Sequence, residues 1–263
     1  MTHLPIRHIL FPYDFSEQGR EIAPFISAFA KQFGSQLTVF SVSPPGKIED
    51  GLGKDFADVP TQWVTTCGDP ALRIEDFAHN HDVDLVMMPT HGLGLYRRVL
   101  AGSVTSKVLH DVRCPVWTAA HAERQHVPVI PKTILCALNA DTEGVSLLQY
   151  AALLSRRVGA SLKVLHVVEP ITDWPALPSE QALQETARET AAAAVASMLE
   201  STGVTAESKV VVGEIVSRAT EVAREDGADL LIVGRGSLTE PFGRIRTHAF
   251  GIIERSPCPV LSV

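Results

Sequence analysis

The sequence predicts an α/β fold: two repeats of a doubly wound, five-stranded parallel sheet with helices on both faces. Three observations carry that reading. Short apolar runs of strand length alternate with longer stretches that show a single apolar stripe at helical spacing. The chain is also written twice. His8-Ile9-Leu10-Phe11-Pro12-Tyr13-Asp14 returns as Thr133-Ile134-Leu135-Cys136-Ala137-Leu138-Asn139, with Ile134 standing 125 residues after Ile9. Asp84-Leu85-Val86-Met87-Met88 returns as Asp229-Leu230-Leu231-Ile232-Val233, 145 residues on, and Arg113-Cys114-Pro115-Val116 as Pro257-Cys258-Pro259-Val260, 144 residues on. Finally, strict strand–helix alternation implies parallel pairing through right-handed crossovers, the arrangement of Rossmann-like sheets.

In chain order, Ile9–Tyr13 is a short apolar run that fits a buried strand. Ser16 follows as a helix N-cap, and Ile22, Phe25, Ile26, Phe29 and Phe33 form one stripe closed by Gly34. Pro24 is expected to kink that helix, because it lacks an N–H and its ring crowds the preceding turn. Leu37–Val42 is the second strand and Pro44–Pro60 a loop rich in Pro, Gly and acid. Trp63–Cys67 is the third strand, and Asp69-Pro70 opens a helix with a cap followed by a first-turn proline. Asp84–Met88 and Pro115–Ala119 complete the sheet, with a helix over Ser103–Asp111 between them. The second copy repeats the order with strands near Thr133–Leu138, Leu162–Val168, Ser208–Val212, Leu230–Val233 and Val260–Val263. It adds an Ala-rich helix over Ser179–Thr202, stopped by Gly203. The domains are therefore read as 1–122 and 132–263, joined by a linker at 123–131 that contains Pro128 and Pro131.

Composition narrows the function classes. The 263 residues carry 23 Lys+Arg against 30 Asp+Glu, a net charge of −7. An acidic chain is poorly suited to a phosphate backbone, so no nucleic acid partner is expected. No apolar run approaches the roughly 20 residues that span a bilayer. The first residues reach Tyr13-Asp14 too soon to hold a secretory core, so a cytoplasmic protein without a membrane role is expected. Cys67, Cys114, Cys136 and Cys258 form no Cys-x-x-Cys pair. Reduced thiols fit, and the two that precede a proline read as packing residues.

In an open parallel sheet, ligands bind beyond the carboxyl ends of the strands, where the winding direction reverses. Asp14 sits directly after the first strand, and its carboxylate suits a ribose hydroxyl. After the fourth strand comes Pro89-Thr90-His91-Gly92-Leu93-Gly94, continuing to Gly102-Ser103. Gly92 and Gly94 let backbone bend or approach a ligand closely. Gly102-Ser103 opens a helix whose first amides are unpaired and meet the positive end of the dipole, which suits an anion. The same glycines also fit an ordinary turn and cap, and neither a P-loop nor a Gly-x-Gly-x-x-Gly run follows the first strand.

Taken together, Ile9-Leu10-Phe11-Pro12-Tyr13-Asp14-Phe15-Ser16-Glu17, Gly102-Ser103-Val104 and Cys114-Pro115-Val116 resemble the universal stress protein family, once per repeat, as in its tandem members. The family's nucleotide pattern is Gly-x2-Gly-x9-Gly-[Ser/Thr]. Gly92 and Gly102-Ser103 keep its nine-residue gap, whereas Pro89 replaces the first glycine. The resemblance implies an ATP site in the first half, with Mg²⁺ held by the phosphates. It implies that Pro12, Asp14, Val42, Met88, His91, Gly92, Gly102, Ser103 and Val104 line that site. Pro89 costs one backbone donor. The resemblance also implies that the final strands, Pro115–Ala119 and Pro259–Val263, pair the halves as an intrachain pseudo-dimer. Association of two chains is left open.

The second copy departs further. Asn139 replaces the aspartate, and its loop begins Gly234-Arg235-Gly236-Ser237 and places Arg246 where the third glycine belongs. A triphosphate is not expected there. Arg235, Arg244 and Arg246 read as a solvated loop face, with collection of some other anion as the alternative. His79, His81, Asp82 and Asp84 lack a full metal-ligand set and read as a solvated helix end.

The expected function is therefore a stress-response sensor that binds adenine nucleotide and acts on unidentified protein partners. It is not expected to be an enzyme beyond weak ATPase activity, and no carboxylate in the loop is placed to orient His91. The alternative is a member that binds no nucleotide and works through protein–protein contacts. An ATP pyrophosphatase or nucleotidyl transferase would call for a Ser-Gly-Gly-type loop where the chain has Asp14-Phe15-Ser16-Glu17.

Overall fold

The computed structural model describes residues 6–43, 56–90, 103–119, 129–170, 178–235 and 247–263. The first half runs β1 (His8–Pro12), α1 (Glu17–Phe33), β2 (Gln36–Val42), β3 (Thr61–Thr66), α2 (Pro70–Asn80), β4 (Leu85–Pro89), α3 (Ser103–Asp111) and β5 (Val116–Ala119). The second runs β6 (Thr133–Ala137), α4 (Thr142–Val158), β7 (Ser161–Val168), α5 (Pro178–Thr202), β8 (Glu207–Val212), α6 (Ile215–Glu225), β9 (Leu230–Val233), α7 (Thr247–Arg255) and β10 (Val260–Ser262). Each expected strand forms within two residues of its expected bounds.

The strands make one ten-stranded sheet in the order β3-β2-β1-β4-β5-β10-β9-β6-β7-β8. Pairing is parallel within each half and antiparallel at the seam, where Val260, Leu261 and Ser262 face Thr118, Trp117 and Val116. The halves are thus joined by a backbone ladder that satisfies two strand edges at once. Across the seam Thr118 Oγ1 donates to the Val260 carbonyl at 3.4 Å, and Ser262 Oγ donates to that of Val116 at 3.1 Å. One face is covered by α1, α4 and α5, over a core that runs through Ile9, Phe29, Trp117, Leu154 and Leu261. The opposite face is covered by α2, α3, α6 and α7, over Leu10, Val86, Leu109, Leu135 and Ile253. Each core layer is continuous across both halves. Burying a side chain of this size is worth about 1.5–3 kcal/mol, so the seam is part of the hydrophobic core.

The duplication extends to individual hydrogen bonds. Ser16 accepts from the Gly19 amide at 3.1 Å, and Asp141 accepts from the Gly144 amide at 2.8 Å, each capping the helix that follows the first strand of its half. Those helices end on Gly34 and Gly159 at φ of 70° and 74°, a left-handed conformation that glycine adopts without a Cβ clash. Asp84 Oδ2 accepts from the amides of Arg7 and His8, and Asp229 Oδ2 accepts from those of Lys132 and Thr133. Those carboxylates tie the start of one strand to the start of its neighbour.

Some expectations need correction. Helix α1 runs through Pro24 without interruption. Pro24 and Arg20, four residues before it, both lie on the exposed face, where solvent can reach the backbone. The end of the expected loop is core: Phe56 and Val59 are buried, and Phe56 meets Phe11 edge-on at 6.2 Å. The helix end is exposed at His79, His81 and Asp82, as expected, with contacts added on it. The His81 ring stacks on Phe77 at 3.9 Å, and the His81 carbonyl lies 2.9 Å from His8 Nδ1. No cluster of metal-ligating side chains occurs among the described residues.

Candidate functional site

The winding direction reverses between β1 and β4 in the first half and between β6 and β9 in the second. Each reversal opens a crevice at the carboxyl ends of those strands, between the two helical layers.

In the first half, Pro12 ends β1, Val42 ends β2 and Met88 lies next to last in β4. The β1–β2 ladder closes with the Tyr13 amide donating to the Phe40 carbonyl at 2.8 Å, so Val42 stands two residues past it. Asp14 is exposed, and its Oδ1 accepts from the Ser16 amide at 3.1 Å. Between them Phe15 takes a φ of 62°, and its ring tilts against Tyr13 at 4.7 Å. Helix α3 begins at Ser103, which is exposed, followed by half-buried Val104. Thr105 Oγ1 donates to the Pro89 carbonyl at 3.4 Å, which fixes the first turn of α3 at the end of β4. Pro12, Asp14, Val42, Met88, Ser103 and Val104 thus share the carboxyl edge of one half-sheet. His91, Gly92, Gly94, Gly102, Arg97 and Arg98 lie outside the described residues.

The second-half crevice holds a cavity of about 620 Å³. Ala137, Asn139, Val167, Val233 and Gly234 line it, and they stand where the first half has Pro12, Asp14, Val42, Met88 and Pro89. Its inner wall is apolar, with Leu147, Leu165 and Ile252 all buried, while Asp141, Glu143 and Ser146 are exposed at its rim. Tyr150 also lines it. The Tyr150 hydroxyl is buried with no hydrogen-bond partner among the described residues, and that burial pushes its pKa up. Sequence reasoning missed this tyrosine because it reads as one more member of the α4 stripe, at the position of Phe25 in α1.

Arg235 overturns the expectation of a solvated arginine face. It is buried at 4% exposure. Its Nη1 donates to the carbonyls of Leu109 and Val112 at 3.1 and 3.0 Å, and its Nη2 to that of Cys114 at 2.6 Å. These are carbonyls at and just beyond the C-terminus of α3, where a helix leaves acceptors unpaired and its dipole favours a cation. An arginine of the second half therefore caps a helix of the first. Arg244 and Arg246 lie outside the described residues, as does Ser237. Three of the four cysteines behave as packing residues, burial raising the Cys114 thiol to about 11 and those of Cys136 and Cys258 to about 12, while Cys67 is exposed.

Ten mostly parallel strands, two reversal crevices and an antiparallel seam define a tandem α/β protein built from two doubly wound half-sheets. The universal stress protein family matches residues 48–119 and 131–263, and the chain belongs to that family. The β1 segment that carries Pro12 and Asp14 precedes the matched residues. A universal stress protein of Synechocystis is 30% identical over 128 residues, covering 41% of this chain and 82% of that relative. One from Thermus aquaticus is 28% identical over 131 residues, covering 41% of this chain and 94% of the relative. Among solved structures, a universal stress protein from Archaeoglobus fulgidus matches with a TM-score of 0.71 at 19% identity, covering 97% of both chains. A functionally unknown protein from Pseudomonas aeruginosa matches at 0.73 with 16% identity, covering 98% of this chain and 92% of that one. Both structural matches speak to the tandem fold alone. Among the described residues, no helix is long and apolar enough to cross a membrane.

Proposed function

We propose that this universal stress protein binds an adenine nucleotide, with ATP as the first candidate, in the crevice of its N-terminal half. The observation that carries the reading is the tie between Thr105 and Pro89. It sets the amide-rich start of α3 beside the end of β4, across the reversal from the exposed carboxylate of Asp14. The described residues fit such a ligand. Asp14 offers an acceptor to ribose hydroxyls, while the Ser103 hydroxyl and the backbone amides at the start of α3 offer donors to phosphate oxygens. Pro12, Val42 and Met88 supply apolar surface for a base. Mg²⁺ would be held by the phosphates. The role is binding, with slow hydrolysis at most, and the bound nucleotide would bias contacts with protein partners.

Equilibrium titration of the full chain with ATP and Mg²⁺ tests this. Asp14→Asn, which installs the residue the second half carries, is expected to weaken ATP about tenfold, the loss of one charge-assisted hydrogen bond. Gly102→Arg is expected to abolish binding. Unchanged affinity in both variants overturns the site. Absence of any ATP-dependent rise in melting temperature favours the reading in which the protein works through protein contacts alone.

A further inference from the structure

The second crevice has the size of a ligand site and the wrong chemistry for a polyphosphate. Its volume of about 620 Å³ falls within the usual range for small-molecule pockets, roughly 300–1,000 Å³. The inner wall is built from buried aliphatic side chains. Among its described lining residues there is no lysine or arginine, and Asp141 and Glu143 set carboxylates at the rim. The one arginine next to it in sequence, Arg235, has its guanidinium committed to the carbonyls of the first half. His248 is the one described basic side chain on its wall, so an anion entering here would meet two carboxylates and no described lysine or arginine to compensate it. The Tyr150 hydroxyl points to what would be welcome. A buried hydroxyl without a partner forfeits a hydrogen bond that water supplied in the unfolded chain, and such groups are uncommon in folded proteins. A ligand bearing one hydrogen-bonding group on an apolar body would restore it.

We propose that the C-terminal crevice is a binding site for an uncharged, predominantly apolar small molecule, held by aliphatic contacts and by one hydrogen bond to Tyr150. The site is separate from the nucleotide crevice of the first half, and either assignment can fail without the other. Gly234 is its natural plug. It has no positive φ, and among the described residues a Cβ built there would meet Leu147 Cδ2 alone, at 3.7 Å, an ordinary contact. A larger side chain at that position therefore extends into the cavity without backbone strain.

The test uses the full chain and the neutral fluorophore N-phenyl-1-naphthylamine. Saturable fluorescence enhancement at one site per chain is expected, with no displacement by ATP and Mg²⁺. Gly234→Leu should weaken the probe at least tenfold while its melting curve stays close to wild type. Val167→Phe, from a different strand, provides the same reading if the first variant fails to fold. With 1-naphthol as competitor, Tyr150→Phe should raise the competing concentration about three- to tenfold, the worth of one neutral hydrogen bond. The same change should leave 1-methylnaphthalene, which has no hydroxyl, unaffected. Absence of saturable binding, displacement of the probe by ATP, or wild-type affinity in both cavity-filling variants overturns the proposal. An equal effect of Tyr150→Phe on both competitors removes the hydrogen bond from it.

Discussion

Where β1 ends, the first half carries Tyr13, Asp14 and Phe15; where β6 ends, the second half carries Leu138, Asn139 and Ala140. The scaffolds beneath share their strand order and several single caps and clasps, and α5 is added in the second half, so the strand-end residues can be compared position by position. In the first half, Tyr13 packs between Phe11 and Phe15 at 5.3 and 4.7 Å, and its ring edge covers the start of α1. In the second half, leucine and alanine stand in place of those two aromatic rings, and Leu138 is part of the wall of the cavity. Duplication followed by exchange of a few residues at strand ends has given one frame two different mouths. The same exchange put Arg235 where the first half has Thr90, and so turned a turn residue into a clamp between halves.

The largest effect expected from breaking the symmetry lies at the paired glycines of the first helical turns. A Cβ at Gly144 would sit 1.8 Å from the Asn139 carbonyl oxygen, whereas one at Gly19 would meet ring carbons of Tyr13 at 2.9 Å. Backbone must move in the first case and only a side chain in the second. Gly144→Ala is expected to cost about 3 kcal/mol and Gly19→Ala about 1 kcal/mol, read from urea unfolding midpoints. Equal costs would show that the two turns are not held as described. Next comes the clamp. Arg235→Ala strands buried carbonyls of α3 and should cost about 2–3 kcal/mol, the scale of hydrogen bonds to a charged group. Its counterpart should respond in the opposite direction. Thr90 is fully buried, with a hydroxyl that has no partner among the described residues, so Thr90→Val is expected to gain up to about 1 kcal/mol. A loss on Thr90→Val would break the comparison.

The smallest effect concerns acid. Asp69 and Glu214 cap α2 and α6, and each is held below its ordinary pKa. For Asp69 the chief cause is the Leu72 amide; for Glu214 it is the Ser217 hydroxyl, followed by the Ser217 amide. A carboxylate whose pKa is lowered on folding contributes stability that is present above its unfolded pKa of about 4 and is lost as pH falls through its folded value. Glu214→Gln should therefore flatten the decline in melting temperature below about pH 4.5. An acid limb as steep as wild type would show that the cap carries no linked proton.

Much of the fold was legible in residue order because its signals are local. Strand length, helical stripes, Ser16 and Asp69 as caps and Gly34 as a stop act over a single turn or strand, and the repeat disclosed the plan twice. Of the candidate site, the strand-end place of Asp14 and the α3 start at Ser103 could be anticipated, since a parallel sheet puts strand ends on one edge, whereas Pro12, Val42 and Met88 came from the family resemblance. The burial of Arg235 could not. An arginine after a strand reads as solvent-facing until a helix from the other half, more than a hundred residues away, brings it carbonyls to cap.

By itself the sequence determined the two α/β repeats, their elements and their family, because periodicity, caps and motif spacing are properties of neighbours along the chain. Tertiary structure alone decided that a cavity opens in the second-half crevice, that the Tyr150 hydroxyl lies buried there without a partner among the described residues and that Arg235 binds the halves together. Those outcomes depend on which volumes and charges meet across the sheet, and side chains distant in sequence settle that only when the strands are laid side by side.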